Sequence, residues 1–127
     1  MADARRVIGI GTDLCEVERM RQALRRTPGL KQRVFTLAEQ AYCERRRDPT
    51  ERYAARFAAK EAVMKALGVG VGACKFADIE VAKAPSGAPS VRLHGGAARL
   101  ADGRGVTQWH LTLTHTHITA QAIAVAE

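Results

Sequence analysis

Thr50-Glu51-Arg52-Tyr53-Ala54-Ala55-Arg56-Phe57-Ala58-Ala59-Lys60-Glu61-Ala62-Val63-Met64-Lys65-Ala66-Leu67, followed by Gly68-Val69-Gly70-Val71-Gly72, is the stretch on which the fold turns. Tyr53, Phe57, Met64 and Leu67 recur at core spacing on a helix and alanines fill the rest. With Thr50 as its cap, a helix is expected over Glu51 to Leu67. Gly68 ends it. Beyond the glycine loop the period changes to two, and Ile79 to Ala84, Ser90 to Leu93, Trp109 to Thr114 and Ala120 to Ala126 read as strands.

Upstream, Val7-Ile8-Gly9-Ile10-Gly11-Thr12 is a β-branched run broken by glycines, which suits a first strand whose backbone is closely approached by something. Asp13 stands at its carboxyl end. Leu14 to Arg26 puts Leu14, Val17, Met20 and Leu24 at helical spacing, and Thr27-Pro28-Gly29 stops that helix. Thr36-Leu37-Ala38-Glu39 fits a capping box opening a helix to about Arg46, with Asp48-Pro49-Thr50 as the break before the next. Pro85 to Pro89 turns the first pair of later strands, and a short helix near Ala97 to Ala101 leads to the second pair. One strand, three helices and then mostly strands predict an α+β fold, an antiparallel β-sheet packed by helices, as a single domain over residues 1–127.

The chain has 127 residues, 46% of them hydrophobic, enough for one small core and too few for several domains. No stretch approaches the apolar length that spans a bilayer, and Met1 to Arg6 leads into the first strand without an apolar signal core. Cys15, Cys43 and Cys74 are odd in number and lack C-x-x-C spacing, so neither a disulfide framework nor a zinc site is expected, and a reducing, cytoplasmic setting is. The net charge of +7 sits between Arg19 and Lys60, where twelve Lys or Arg face four acids. Such a one-sided field attracts a polyanion: nucleic acid, an anionic membrane, a phosphorylated ligand or an acidic protein.

The long helix carries the polar groups that could do chemistry. Positions four apart share a face, so Arg56 stands over Lys60 and Glu61 over Lys65. These are either solvent-facing ion pairs or a carboxylate for a divalent metal flanked by cations for the phosphates it bridges. Asp13 is either a cap or the second carboxylate. The Gly68 to Gly72 loop permits amides around a phosphate, but no Gly-Lys-Ser/Thr follows it. His115-Thr116-His117 ends an alternating strand and reads as a metal pair or, more simply, as a turn with one histidine bonding a ligand or partner.

Taken together, Ile8-Gly9-Ile10-Gly11-Thr12-Asp13-Leu14, Val34-Phe35-Thr36 with Glu39, Arg56-Phe57-Ala58-Ala59-Lys60-Glu61-Ala62 with Lys65-Ala66-Leu67-Gly68, and His110-Leu111-Thr112-Leu113-Thr114-His115-Thr116 resemble the holo-acyl-carrier-protein synthases. These are the short, single-copy, trimeric branch of the 4′-phosphopantetheinyl transferases. The resemblance covers nearly the whole chain. It implies transfer of the 4′-phosphopantetheine arm of coenzyme A to a serine of apo acyl carrier protein, in support of fatty acid biosynthesis. It also implies Mg2+ on Asp13 and Glu61, with Glu61 and Lys65 catalytic. Arg56, Lys60, Lys65, Gly68, Gly70 and His115 would bind coenzyme A, with Arg45, Arg46 and Arg47 as candidates for its 3′-phosphate. Arg19, Arg25 and Arg26 would hold the acidic carrier, and a homotrimer would place active sites between subunits. Neither nucleic acid nor a membrane is then a partner.

Two other readings stay beside this one. A small basic nucleic-acid module is opposed by the scarcity of aromatics and the absence of a stacking motif. An inactive, carrier-binding relative is opposed by the retention of Asp13, Glu61 and Lys65.

Overall fold

The structure, a computed structural model, describes residues 6–127, so that most of the chain start read as lacking a signal core lies outside the described residues. In chain order the elements are β1 (Gly9–Glu16), α1 (Val17–Arg26), α2 (Leu30–Val34), α3 (Leu37–Cys43), α4 (Thr50–Ala66), β2 (Ile79–Lys83), β3 (Pro89–Leu93), α5 (Gly95–Gly103), β4 (Trp109–His115) and β5 (Thr119–Ala126), with a 3-10 turn at Phe76–Asp78. All strand pairs are antiparallel, as expected. They form two sheets instead of one: a three-stranded β1-β5-β4 and a β2-β3 hairpin. No helix of the described residues is long and apolar enough to cross a membrane.

β1 runs further than the sequence suggested. Asp13 pairs with Ala122 and Glu16 with Thr119, so the β5 ladder satisfies the backbone of residues expected to begin a helix. The first helix therefore starts at Val17, and Leu14 lies exposed on the far side of the sheet. α3 stops at Cys43, short of Arg46, because the Arg45 and Arg46 amides bond only three residues back, to Tyr42 O and Cys43 O. At the start of α4, Thr50 is the first helical residue and not the cap. The Asp48 carboxylate accepts both its amide (3.1 Å) and its hydroxyl (2.7 Å).

α4 lies against the inner face of β1 and β5, and the sequence shows why it can come so close. A Cβ on Gly9 would stand 1.8 Å from the Ala66 carbonyl oxygen, and one on Gly11 would stand 1.9 Å from that of Ala62. On β5 the inward positions are Ala120, Ala122, Ala124 and Ala126, all fully buried. The glycines of the first strand are thus explained by the helix that covers them. A second cluster, built on Val17, Met20, Val34, Phe35 and Tyr53, joins α1, α2 and the first half of α4.

Gly11→Ala must push α4 off the sheet, since the atom it meets is backbone. We expect a loss of at least about 2 kcal/mol in unfolding free energy, read by denaturant titration. A stability within about 0.5 kcal/mol of wild type would show that the approach is not rigid.

Candidate active site

Alternation along β1 turns Gly9, Gly11 and Asp13 to the same face. The two glycines admit α4, and Asp13, the next inward position, meets the side chains that α4 projects there. Lys65 Nζ donates to Asp13 Oδ1 (2.9 Å) and to the Thr12 carbonyl (3.0 Å). Glu61, one turn before Lys65, sits beside Asp13, near enough for the two carboxyls to act on one another. Burial first, and then the neighbouring Asp13 carboxylate, push the Glu61 carboxyl above its ordinary value, against the pull of Lys65. The expected union of Asp13, Glu61 and Lys65 is therefore present.

Two crowded carboxylates whose mutual charge is only partly relieved by one ammonium form a donor set suited to a hard dication. Among the described residues no group of three or more His, Cys, Asp or Glu is placed to hold a metal. Asp13 and Glu61 alone would suit an ion that takes few protein ligands and completes its shell with phosphate and water, as magnesium does.

Glu61 also borders a groove of about 480 Å³ with Arg19 at its rim and Leu14, Met20, Leu30 and Phe57 along its walls. Arg19 and Arg26, seven residues apart on α1, share a helix face. Arg25 is turned away and lines a different cleft, with Arg21, Lys31 and Arg47. The basic helix thus presents two faces, and Arg25 is not in line with the other two.

A third cavity, about 190 Å³, is lined by Tyr42, Arg46, Arg52, Arg56, Lys83 and His115, with no acid in its wall. The guanidinium carbons of Arg52 and Arg56 each stand 4.1 Å from the centre of the Tyr42 ring. Burial would raise the Tyr42 hydroxyl, but the hydrogen bond from Lys83 and the charges of Arg52 and Arg56 prevail and hold it below its usual value. Arg56 is 5% exposed and its Nε is buried without a partner, a vacancy in hydrogen bonding that an anionic ligand would fill.

Arg56 and Glu61 are five residues apart on one helix, about 140° around its axis. The phosphate cradle expected from the sequence is therefore divided: Lys65 belongs with Asp13 and Glu61, while Arg56 and His115 belong to the cationic cavity.

Lys60 belongs to neither. Its side chain is fully buried, and Nζ donates to Glu39 Oε1 (2.8 Å), the Ile79 carbonyl (2.5 Å) and the Phe76 carbonyl (3.1 Å), so its expected role toward coenzyme A is corrected to a structural one. Burial pushes its ammonium down, with the Glu39 carboxylate opposing. Gly68 is also reassigned: with φ of 72° it closes α4, its amide donating to the Lys65 carbonyl (3.0 Å). Burial raises the thiols of Cys15, to about 11, of Cys43, to about 12, and of Cys74, so that all three are held in the neutral form.

Sequence reasoning missed Tyr42, Arg52, Lys83 and Glu51. Tyr42 and Lys83 are brought together only by the packing of α3 and β2 on α4, and nothing local marks them. Glu51 had a signal in the i, i+2 spacing of His115 and His117, whose Nδ1 atoms both reach its carboxylate.

The model of the 4′-phosphopantetheinyl transferase superfamily matches residues 9–126. The chain belongs to that superfamily. It is 48% identical over 117 residues to the holo-[acyl-carrier-protein] synthase of Moorella thermoacetica, covering 92% of this chain and 91% of that protein. The crystal structure of the Neisseria meningitidis holo-[acyl-carrier-protein] synthase superposes with a TM-score of 0.85 at 29% identity, covering 96% of this chain and 99% of that one. The Helicobacter pylori enzyme in complex with coenzyme A gives 0.80 at 28% identity, covering 93% and 99%.

Lys60→Met leaves the Glu39 carboxylate buried without its counter-charge and should cost about 3–5 kcal/mol of stability. Adding Glu39→Leu should restore part of this. In denaturant titration, a double variant no more stable than Lys60→Met would refute the pairing as the reason for the lysine's burial.

Proposed function

We propose that this chain, one transferase domain over 1–127, is a cytoplasmic holo-[acyl-carrier-protein] synthase serving fatty acid biosynthesis. It moves 4′-phosphopantetheine from coenzyme A to a serine of apo acyl carrier protein and releases adenosine 3′,5′-bisphosphate. The observation that carries this reading is the pair Asp13 and Glu61 with Lys65 bonded across it, beside a groove edged by Arg19.

In the reaction the seryl oxygen attacks the phosphorus that bears the pantetheine arm, and the bond from that phosphorus to the oxygen of the adenosine-side phosphate breaks. The seryl proton passes to a carboxylate oxygen of Glu61 or to a water beside it. The Lys65 ammonium, held by Asp13, compensates charge on the departing phosphate. Magnesium held by Asp13 and Glu61 would neutralise the pyrophosphate and stabilise the same developing charge. Arg19 and Arg26 face the acidic carrier. The cavity of Arg46, Arg52, Arg56 and His115 takes the nucleotide's remaining phosphate.

These two centres lie on different faces of α4, so one ligand reaches both most simply when neighbouring chains each contribute one. A homotrimer is supported further by the outer face of the three-stranded sheet. There Ile10 (65% exposed), Leu14 (62%) and Ile123 (39%) lie on strands joined in the register Ile10↔Val125 and Thr12↔Ile123. That apolar surface is suited to burial against further copies.

Apo carrier incubated with coenzyme A, magnesium and the enzyme should gain the mass of the arm in a mass spectrometer. Asp13→Ala and Glu61→Ala should each lower turnover at least 100-fold, about 2.7 kcal/mol in barrier, while remaining folded. Near-normal turnover of either at limiting magnesium would remove the metal assignment.

Charge reversal of Arg19 or Arg26 should raise the KM for carrier about tenfold and leave that for coenzyme A in place. An equal rise for both substrates would refute the division into two surfaces. Mixing an Asp13→Ala, Glu61→Ala chain with a His115→Ala chain should restore activity after subunit exchange. Activities that only sum would place both centres in one chain's site.

A further inference from the structure

His115 ends β4, and His117 follows in the turn to β5. That turn is closed by the Thr116 amide on the Thr119 carbonyl (2.9 Å) and by the Thr116 hydroxyl, which accepts from the Ile118 and Thr119 amides (both 3.1 Å). The two imidazoles converge on one carboxylate: His115 Nδ1–H donates to Glu51 Oε1 (2.9 Å) and His117 Nδ1–H donates to Glu51 Oε2 (2.8 Å). Since a carboxylate only accepts, the proton on each Nδ1 is fixed by the geometry.

We propose that Glu51 is a positioning residue for coenzyme A: it binds Nδ1 of His115, so that Nε2 is the one ring nitrogen left for the anion in the cavity of Arg46, Arg52 and Arg56. This rests on the reading of His115 as a coenzyme A ligand. His117, itself almost fully exposed, occupies the second oxygen and keeps the carboxylate from rotating away from His115. The hydrogen bond from His117, the largest influence on Glu51, holds its carboxyl below the ordinary range, so it is ionised when both rings need an acceptor.

The placement has a chemical reason. An imidazole anchored through Nδ1 on a carboxylate has its ring plane and the direction of Nε2 fixed, and Nε2 alone remains to meet a ligand. The charged groups lining the cavity are cations, Arg46 from the loop before α4, Arg52 and Arg56 from α4 and Lys83 from β2, so the ligand met there is an anion.

The test is a double-variant cycle on the full-length enzyme with coenzyme A as the probe. Glu51→Gln should raise the KM for coenzyme A about tenfold with kcat within twofold, and add nothing in a His115→Ala background. If His115→Ala raises KM and Glu51→Gln does not, the positioning role is overturned while the ligand role of His115 stands. Equal effects of Glu51→Gln with and without His115 would mean that Glu51 acts by another route. If His115→Ala changes nothing, the reading of His115 falls, and this proposal with it.

Discussion

The approach of α4 to the β1–β5 sheet is the constraint on which the site depends. Helix and sheet touch through glycine and alanine, and at Gly9 and Gly11 even a methyl group would overlap the helix backbone. Because side chains alternate along a strand, the next inward position after Gly11 is Asp13. Because the helix is so near, a side chain as short as aspartate reaches Lys65 and Glu61 on it. The spacing Gly-x-Gly-x-Asp is therefore one statement: two positions of no volume, then a carboxylate at the edge of the contact. Bulkier inward residues would bury more apolar area, worth roughly 25 cal/mol per Å², and would move the carboxylates apart.

The other side of α4 is fixed by charge instead of by small size. Lys60, in the middle of the helix, sends its ammonium to Glu39 on α3 and to carbonyls at Phe76 and Ile79, and Glu39 Oε2 accepts the Val81 amide of β2 (2.8 Å). Glu39 also returns a bond to the Thr36 amide (2.8 Å), completing the capping box that starts α3. A buried ion pair is tolerable only when every donor and acceptor is used, and here they are. Its consequence reaches the cavity. Tyr42 is carried by α3 and Lys83 by β2, the two elements that Lys60 and Glu39 fasten to α4, so the interior pair sets the distance between the tyrosine and the arginines it stacks on.

What was legible in the sequence divides along the same line. Asp13, Glu61 and Lys65 could be picked out because they stand in local patterns, a glycine-spaced strand and an i, i+4 pair on a helix. Lys60 was misread because its spacing to Arg56 is that of a surface pair, and only the partner 21 residues away on α3 makes it interior. Asp13 to Glu16 were read as a turn and helix start because their helical spacing was genuine, yet the ladder to β5, more than a hundred residues on, overrode it. α2 was unreadable: five residues after a Pro-Gly stop carry no period, and they fold as a helix because Val34 and Phe35 have a core to enter.

The two faces of α4 also limit how a long, highly charged ligand could be used. A helix with its side chains is about 10 Å across, and this one is covered on most sides by sheet and neighbouring helices. A molecule touching both Lys65 and the Arg56 cavity of one chain would have to wrap around the most buried element of the fold. Sharing the ligand between chains removes that demand, since each copy then offers one centre to each of two neighbours. In such an arrangement the apolar outer face of β1 and β5 and the division of the charged residues have one cause: neither the sheet surface nor either half of the site is complete in a single copy.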